Sequence, residues 1–228
     1  MHAVRFPGET VSYRDARDRL LAAEGELRRH LEKVAELRRR LPIDVPVAED
    51  YVFEMESADG TGRGVRLSEL FIPGKDSLLV YSFMYGPKMQ RPCPSCTCLL
   101  DGLDGIAPHV AQRTNLVVVA KSPLLRIREF ARERGWRNLR LLSSAGNGYN
   151  RDFHGEDANG AQWPVLNVFA KRDGRVHHFY ATELLFAPPE RGQDPRHVDL
   201  IWPLWNLLDL IPEGRGTNWY PALDYARP

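Results

Sequence analysis

Cysteine is missing from this chain everywhere except one hexapeptide, CPSCTC, which holds all three, Cys93, Cys96 and Cys98. That excludes a distributed disulfide framework of the secreted kind, because any bridge between such near neighbours closes a tiny loop and restrains little of the unfolded chain. An excess of charge of either sign is missing too: Lys and Arg total 31 against 30 for Asp and Glu. Nothing in that balance argues for nucleic acid, an anionic membrane or a strongly charged substrate. No apolar run reaches the ~18 residues of a membrane span, and MHAVRFPGETVSYRD has no apolar stretch between a basic start and a small-residue cleavage site. The expectation is a soluble, cytoplasmic protein with neither nucleic acid nor a membrane as partner. There is no second C-x-x-C, no H-x₃₋₅-H, no internal repeat and no low-complexity tract.

What is present is enough apolar sequence, 43% of 228 residues, to bury one good core with an appended arm. Ser12 to Arg40 carries apolar residues at Ala16, Leu20, Leu27, Leu31, Val34 and Leu37, which predicts one long helix, with Ser12 and Asp15 as a variant capping box. Its other faces alternate Arg and Glu, as a solvated helix does. Its apolar stripe can lie on its own domain or on a second copy of the chain, making a homodimer. Pro42 and Pro46 end it, so the chain divides into an arm, 1–42, and a main domain, 43–228.

Within the main domain, YVFEM, the turn DGTGRG and VRLSELF predict a hairpin leading into a helical turn. SLLVYSFMY and NLVVVAKS are buried strands, and CPSCTCLLDGLDGIAPHVAQR between them is a helix with a break near Pro108. A second helix follows, with Ser122 as N-cap, Pro123 at its first position and Gly135 past its end. Leu139 to Leu142 is a short strand, and SSAGNGYNRDFHGEDANGAQ a long loop. WPVLNVFAK and RVHHFYAT form a hairpin around Asp173-Gly174, and RHVDLIWPLWNLLDLIP closes the chain as a helix. The fold class is α/β, a mixed sheet with helices on both faces.

The C-x-x-C therefore sits where a buried strand ends and a helix begins. There, free backbone N–H groups and the positive end of the helix dipole stabilise a thiolate, lowering its pKa from ~8.5 to between ~3.5 and ~7.5. Cys93 is the candidate nucleophile and Cys96, one turn later, the resolving thiol. Arg91 adds positive potential upstream, and Cys98 is read as a small buried apolar residue. A zinc site from the three cysteines and His109 is the alternative, although three thiols in six residues make a poor tetrahedral clamp. Trp163-Pro164 precedes a strand, where a cis bond would set backbone polar groups beside the thiolate.

With C-x-x-C at the head of a helix and a proline-led hairpin downstream, the chain resembles the thioredoxin-like superfamily, its order of elements being similar to the peroxiredoxin and thiol-reductase branches. EDYVFE, LSELF, YSFMYGP, CPSC, DGLDGI and NLLDLIPEGRG are more narrowly similar to a bacterial family known as a domain of unknown function with a thioredoxin-like fold. The resemblance implies a thioredoxin-like domain over 43–228, Cys93 attacking, Cys96 resolving, Pro164 in the place of the cis-proline, and no bound cofactor or metal. Trp163, Pro164 and Arg91 are the candidate substrate-binding residues. Partners would be a disulfide-containing substrate or peroxide and an external thiol electron donor. Where peroxiredoxins carry a threonine and an arginine, Gln90 and Val165 stand here, leaving Arg91 or Arg140 as substitutes. Thiol–disulfide oxidoreductase is the first functional expectation; a peroxiredoxin-like peroxidase and a non-catalytic redox-sensing or binding module are the alternatives.

Overall fold

The structure is a computed structural model that describes residues 4–188, 190–191, 201–213, 216 and 219–225. Two compact units divide at Pro42 and Ile43. The first is a single long helix, α1 (Val11–Arg39), without a buried residue. Its N-cap is Thr10 rather than Ser12: Thr10 has the extended conformation a cap requires, and its Oγ1 accepts from the Tyr13 amide at 3.2 Å.

The second unit runs β1 (Val52–Glu56), β2 (Gly62–Arg66), a 3₁₀ turn at Leu67–Leu70, β3 (Ser77–Phe83), α2 (Pro94–Val110), β4 (Asn115–Ala120), α3 (Leu124–Arg134), β5 (Leu141–Ser143), α4 (Tyr149–Asp152), β6 (Val165–Arg172), β7 (Arg175–Ala181) and α5 (Pro203–Leu208). Seven strands make one sheet in the order β2-β1-β5-β4-β3-β6-β7. β3, β4 and β5 are mutually parallel, whereas β1 and β6 are antiparallel to their neighbours. The β6–β7 hairpin turns on Asp173 and Gly174, both at positive φ (51° and 76°), as a tight hairpin turn demands.

Helices do cover both faces, but unequally. The steps β3 to β4 and β4 to β5 run the same way across the sheet, so two right-handed crossovers put α2 and α3 on one face. There, Cys96, Leu99, Leu100 and Leu103 of α2 and Ile127 and Phe130 of α3 meet Tyr81, Phe83 and Val118, together with Trp202 and Trp205 from the α5 region. The opposite face is closed by the 3₁₀ turn and by Tyr149 of α4, against Val80, Val117, Val119 and Phe169. Strand alternation alone sorts Tyr81 and Phe83 to the α2 side and Leu78 and Val80 to the other.

Three local expectations are corrected. α2 does not break at Pro108, which lies inside its last turns. The carbonyl of Asp104, deprived of its helical donor by Pro108, accepts instead from Asn138 Nδ2 at 3.1 Å. Ser122 does not cap α3, because its hydroxyl donates to the Gly86 carbonyl at 3.1 Å and Pro123 takes the cap position. The segment after β5 is not loop throughout: it contains α4 and a bridge between Glu156 and Gln162. Of the closing helix expected over 196–212, the part at 196–200 lies outside the described residues, and the helix found is shorter. No helix among the described residues is long and apolar enough to cross a membrane.

The same Asp104 anchors the connection from α3 to β5. Its Oδ1 accepts from the amides of Arg137, Asn138 and Leu139 at 3.0, 2.8 and 3.1 Å. Replacing Asp104 by Ala removes the acceptor for all three, and a loss of about 1–3 kcal/mol is expected in urea unfolding, with no loss in an Asp101→Asn control above about 1 kcal/mol.

Candidate active site: a dithiol at the head of α2

The site begins with the end of β3. Beyond Phe83 the chain leaves the sheet, runs through Met84 to Pro92 and returns so that the Cys93 amide donates to the Met84 carbonyl at 3.0 Å. Besides the Ser122 hydroxyl on the Gly86 carbonyl, a second side chain ties the excursion down at several points. Arg126 of α3 donates to the carbonyls of Pro87, Met89 and Gln90, and its guanidinium lies 4.8 Å over the Tyr85 ring. Gly86 adds a close approach: a Cβ there would sit 2.9 Å from Gln162 Cγ. The loop thus delivers Cys93 to the α2 N-cap position in extended conformation, with Pro94 beginning the helix.

Cys93 is partly exposed and Cys96 is 3% exposed. Their side chains are hydrogen-bonded to one another. The thiol of Cys93 is pulled down to about 6, first by the hydrogen bond from the Cys96 side chain, against the opposing effect of burial, and then by the amides of Cys96 and Ser95 and the Ser95 hydroxyl. Cys96 moves the other way: holding its proton against the Cys93 sulfur and losing water both push it well above the ordinary thiol range. The two shifts act in opposite directions, so Cys93 is the thiol placed to ionise first and Cys96 the one placed to keep its proton.

Tyr81 of β3 completes the set. Its ring is 1% exposed and its hydroxyl is hydrogen-bonded to the Cys96 sulfur. Hydrogen bonds therefore run from Tyr81 to Cys96 to Cys93. In the sequence Tyr81 is simply one member of an apolar strand; the available signal was that a fully buried tyrosine needs a hydroxyl partner, and that its alternation faces the C-x-x-C helix. Arg126 and Ser95 gave no such signal.

The remaining candidates are placed as follows. Arg91 is paired with Glu133 at 2.7 Å and Asp224 at 3.7 Å, so its charge is shared with carboxylates, and it is not among the groups that lower Cys93. It lines, with Gln90, Pro92, Arg126, Glu129 and Glu133, a cavity of about 310 Å³ beside the loop that precedes the thiol. Trp163 and Pro164 lead into β6, whose Val165 pairs with Ser82 of β3. They therefore share the sheet edge from which the dithiol emerges. The Trp163–Pro164 bond is trans, not the cis bond implied by the resemblance; the Trp163 amide is tied to the Gly155 carbonyl at 2.9 Å, which fixes the strand entry from the loop side. Trp163 itself is 41% exposed, with its ring centroid 6.2 Å from that of Phe186.

Arg140 is not near the thiols. It precedes β5 at the start of a strand parallel to β3, and so lies at the sheet edge opposite the one where Cys93 follows β3. His109 is equally remote, in the last turn of a helix whose rise from Cys93 is roughly 24 Å. Among the described residues, no group of three His, Cys, Asp or Glu side chains could hold a metal ion. Cys98 is partly exposed, not buried. His177 and His178, which strand alternation would separate into buried and exposed, are both half-covered, because the segment Val45–Val47 lies along β7.

A parallel β-α-β unit with a C-x-x-C at its helix head, flanked by an antiparallel hairpin, is the arrangement of elements expected of a thioredoxin-like fold. The chain belongs to the family described as "Bacterial protein of unknown function (DUF899)", whose model matches residues 4–225. No curated protein matches it. Among solved structures, it is similar to peroxidoxin BcpB from Mycobacterium tuberculosis, with 19% identity, 60% of this chain and 84% of that one covered, and a TM-score of 0.42. It is also similar to peroxiredoxin Q from Xanthomonas campestris, at 15% identity, 62% and 85% coverage and a TM-score of 0.45. The third is the pneumococcal exposed lipoprotein thioredoxin from Streptococcus pneumoniae, at 15% identity, 57% and 87% coverage and a TM-score of 0.40.

The thiolate has a measurable signature. Iodoacetamide alkylation of Cys93 in the reduced protein should rise with pH to a plateau with a midpoint at about 6, because the reactive form is the deprotonated one. In Cys96→Ala the main stabilising hydrogen bond is gone, and the midpoint should move upward toward the ordinary thiol value. Mass spectrometry of quenched time points reads both.

Proposed function

We propose that the protein is a thiol–disulfide oxidoreductase in which Cys93 attacks and Cys96 resolves. The observation that carries this reading is the placement of a partly exposed Cys93 at the head of α2 with a buried Cys96 one turn later, their side chains in hydrogen-bond contact. Such a pair has the two roles the reaction needs already divided between its members.

In the first step the Cys93 thiolate attacks one sulfur of a substrate disulfide. A Cys93–substrate S–S bond forms, the substrate S–S bond breaks, and the first substrate thiolate leaves. With Cys93 no longer anionic, the Cys96 proton loses the acceptor that held it and passes to the departing thiolate. Cys96 then attacks Cys93, a Cys93–Cys96 bridge forms, and the second substrate sulfur leaves as a thiolate that takes its proton from water. The substrate gains two electrons, the dithiol loses two, and an external dithiol returns them by the reverse exchange. Tyr81 acts as a positioning residue: its hydroxyl donates to Cys96 and favours the thiolate that Cys96 must become.

Peroxide reduction has less support, since Gln90 and Val165 stand where a threonine and an arginine would hold the peroxide, and Arg140 is on the opposite edge of the sheet. The exposed Trp163 and Phe186, on the edge where the dithiol emerges, suit an apolar stretch of a disulfide-bearing polypeptide.

Insulin reduction with dithiothreitol as electron source tests the reading. Wild type should accelerate precipitation of the insulin B chain, and Cys93→Ser should return it to the dithiothreitol background; a Cys93→Ser protein as fast as wild type overturns the assignment. Tyr81→Phe should slow turnover by about three- to tenfold, the worth of one hydrogen bond. In that variant the Cys93–substrate mixed disulfide should accumulate, while Cys93 alkylation by iodoacetamide stays close to the wild-type rate. A merely structural loss would slow both steps together.

A further inference from the structure

Away from the dithiol, at the sheet edge where β5 begins, a cavity of about 370 Å³ is enclosed by the end of β1, the outer side of α3 and the connection to β5. Four arginines line it, Arg128, Arg132, Arg137 and Arg140, against a single carboxylate, Glu56, which is held in an ion pair by Arg128. Arg132, Arg137 and Arg140 take part in no ion pair among the described residues, and neither does the neighbouring Arg63. Arg140 is the least at ease. It is half-buried, its guanidinium reaches only the Leu70 carbonyl at 3.3 Å and the Met55 sulfur at 4.0 Å, and neither is an anion. Burial and the charge of Arg63 both work against its cation. The Nε of Arg128 is also buried without a partner.

A guanidinium kept from water without a counter-charge costs free energy that a folded chain ordinarily avoids by pairing it. Arg140 lacks such a group among the described residues, and it lines an open cavity together with the exposed Arg132 and Arg137. Planar guanidinium forks match the oxygens of a carboxylate or phosphate. The other side of the cavity is apolar: Ala131, Leu139, Leu141 and the ring of Trp136, whose Nε1 is fixed by a 2.8 Å bond to Asp101. An inorganic ion would leave that wall uncovered. We propose that this cavity binds a small organic anion, a carboxylate or phosphate ester with an aromatic or aliphatic body, its acidic group among Arg132, Arg137 and Arg140 and its body against Trp136.

The probes are phenyl phosphate and benzoate, with benzyl alcohol as the uncharged control, titrated into the full-length protein by isothermal calorimetry. At least one of the two anions should bind saturably and benzyl alcohol should not. The affinity should fall by about tenfold or more in Arg140→Met, the worth of one charge-assisted contact. The same variant, without ligand, should melt at or above the wild-type temperature, because it removes an unpaired buried charge; a purely structural Arg140 would make it melt lower. Should Arg140→Met not fold, the exposed pair Arg132→Gln and Arg137→Gln replaces it, with the same loss of affinity expected. The proposal is overturned if neither anion saturates, if benzyl alcohol binds as well, or if the variants bind like wild type.

Discussion

One hydrogen bond joins the sheet to its chemistry, that from the Cys93 amide to the Met84 carbonyl. β3 has left the sheet at Phe83, and nothing about a strand ending obliges the next helix to begin close by. The bond brings the head of α2 back against the strand from which it departed, so that Cys96 can reach down to Tyr81 while Cys93 stays at the surface. Without it the thiols would still be three residues apart in the chain, but the buried one would have no hydroxyl beneath it and the exposed one no fixed relation to the sheet edge. The asymmetry between the two cysteines is thus a property of the strand–helix junction more than of the C-x-x-C itself.

That junction explains how much of the protein was legible beforehand. The parallel core was readable because its strands are continuous apolar runs and its helices have a periodic face; Leu78 to Phe83 and Leu116 to Ala120 can be nothing but buried strands. The placement of Cys93 at a helix start, with Cys96 one turn later, was readable from the strand signal before them and the helical pattern after. What could not be read is what depends on contacts between distant residues. Tyr81 and Arg126 belong to ordinary elements and acquire roles only when α2 and α3 share a face. Ser122 and Ser12 show the same limit on a smaller scale: both are good capping types, but the Ser122 hydroxyl is taken by the Gly86 carbonyl and the Tyr13 amide goes to Thr10.

The two ends of the sheet have opposite electrostatic characters. At the end where β3 finishes, charges are matched: Arg91 with Glu133, Lys121 with Glu156. The groups that favour a negative Cys93 sulfur at that end are near neighbours, first the Cys96 thiol and then amides, which salt screens little. Where β5 begins, Arg132, Arg137 and Arg140 gather without an ion-pair partner among the described residues, and only Arg128 is paired, with Glu56. Since the two ends are separated by the length of the parallel strands, the surplus at one has little influence on the thiolate at the other.

Arg126 holds the loop before Cys93 by its carbonyl oxygens. Apart from the Tyr85 ring, this clamp grips main-chain atoms, and those contacts are indifferent to which side chains the main chain carries. Lys88 and Gln90 can therefore change without moving the backbone that carries Cys93. The position of Cys93 and the identity of the side chains around it are thus set by different atoms.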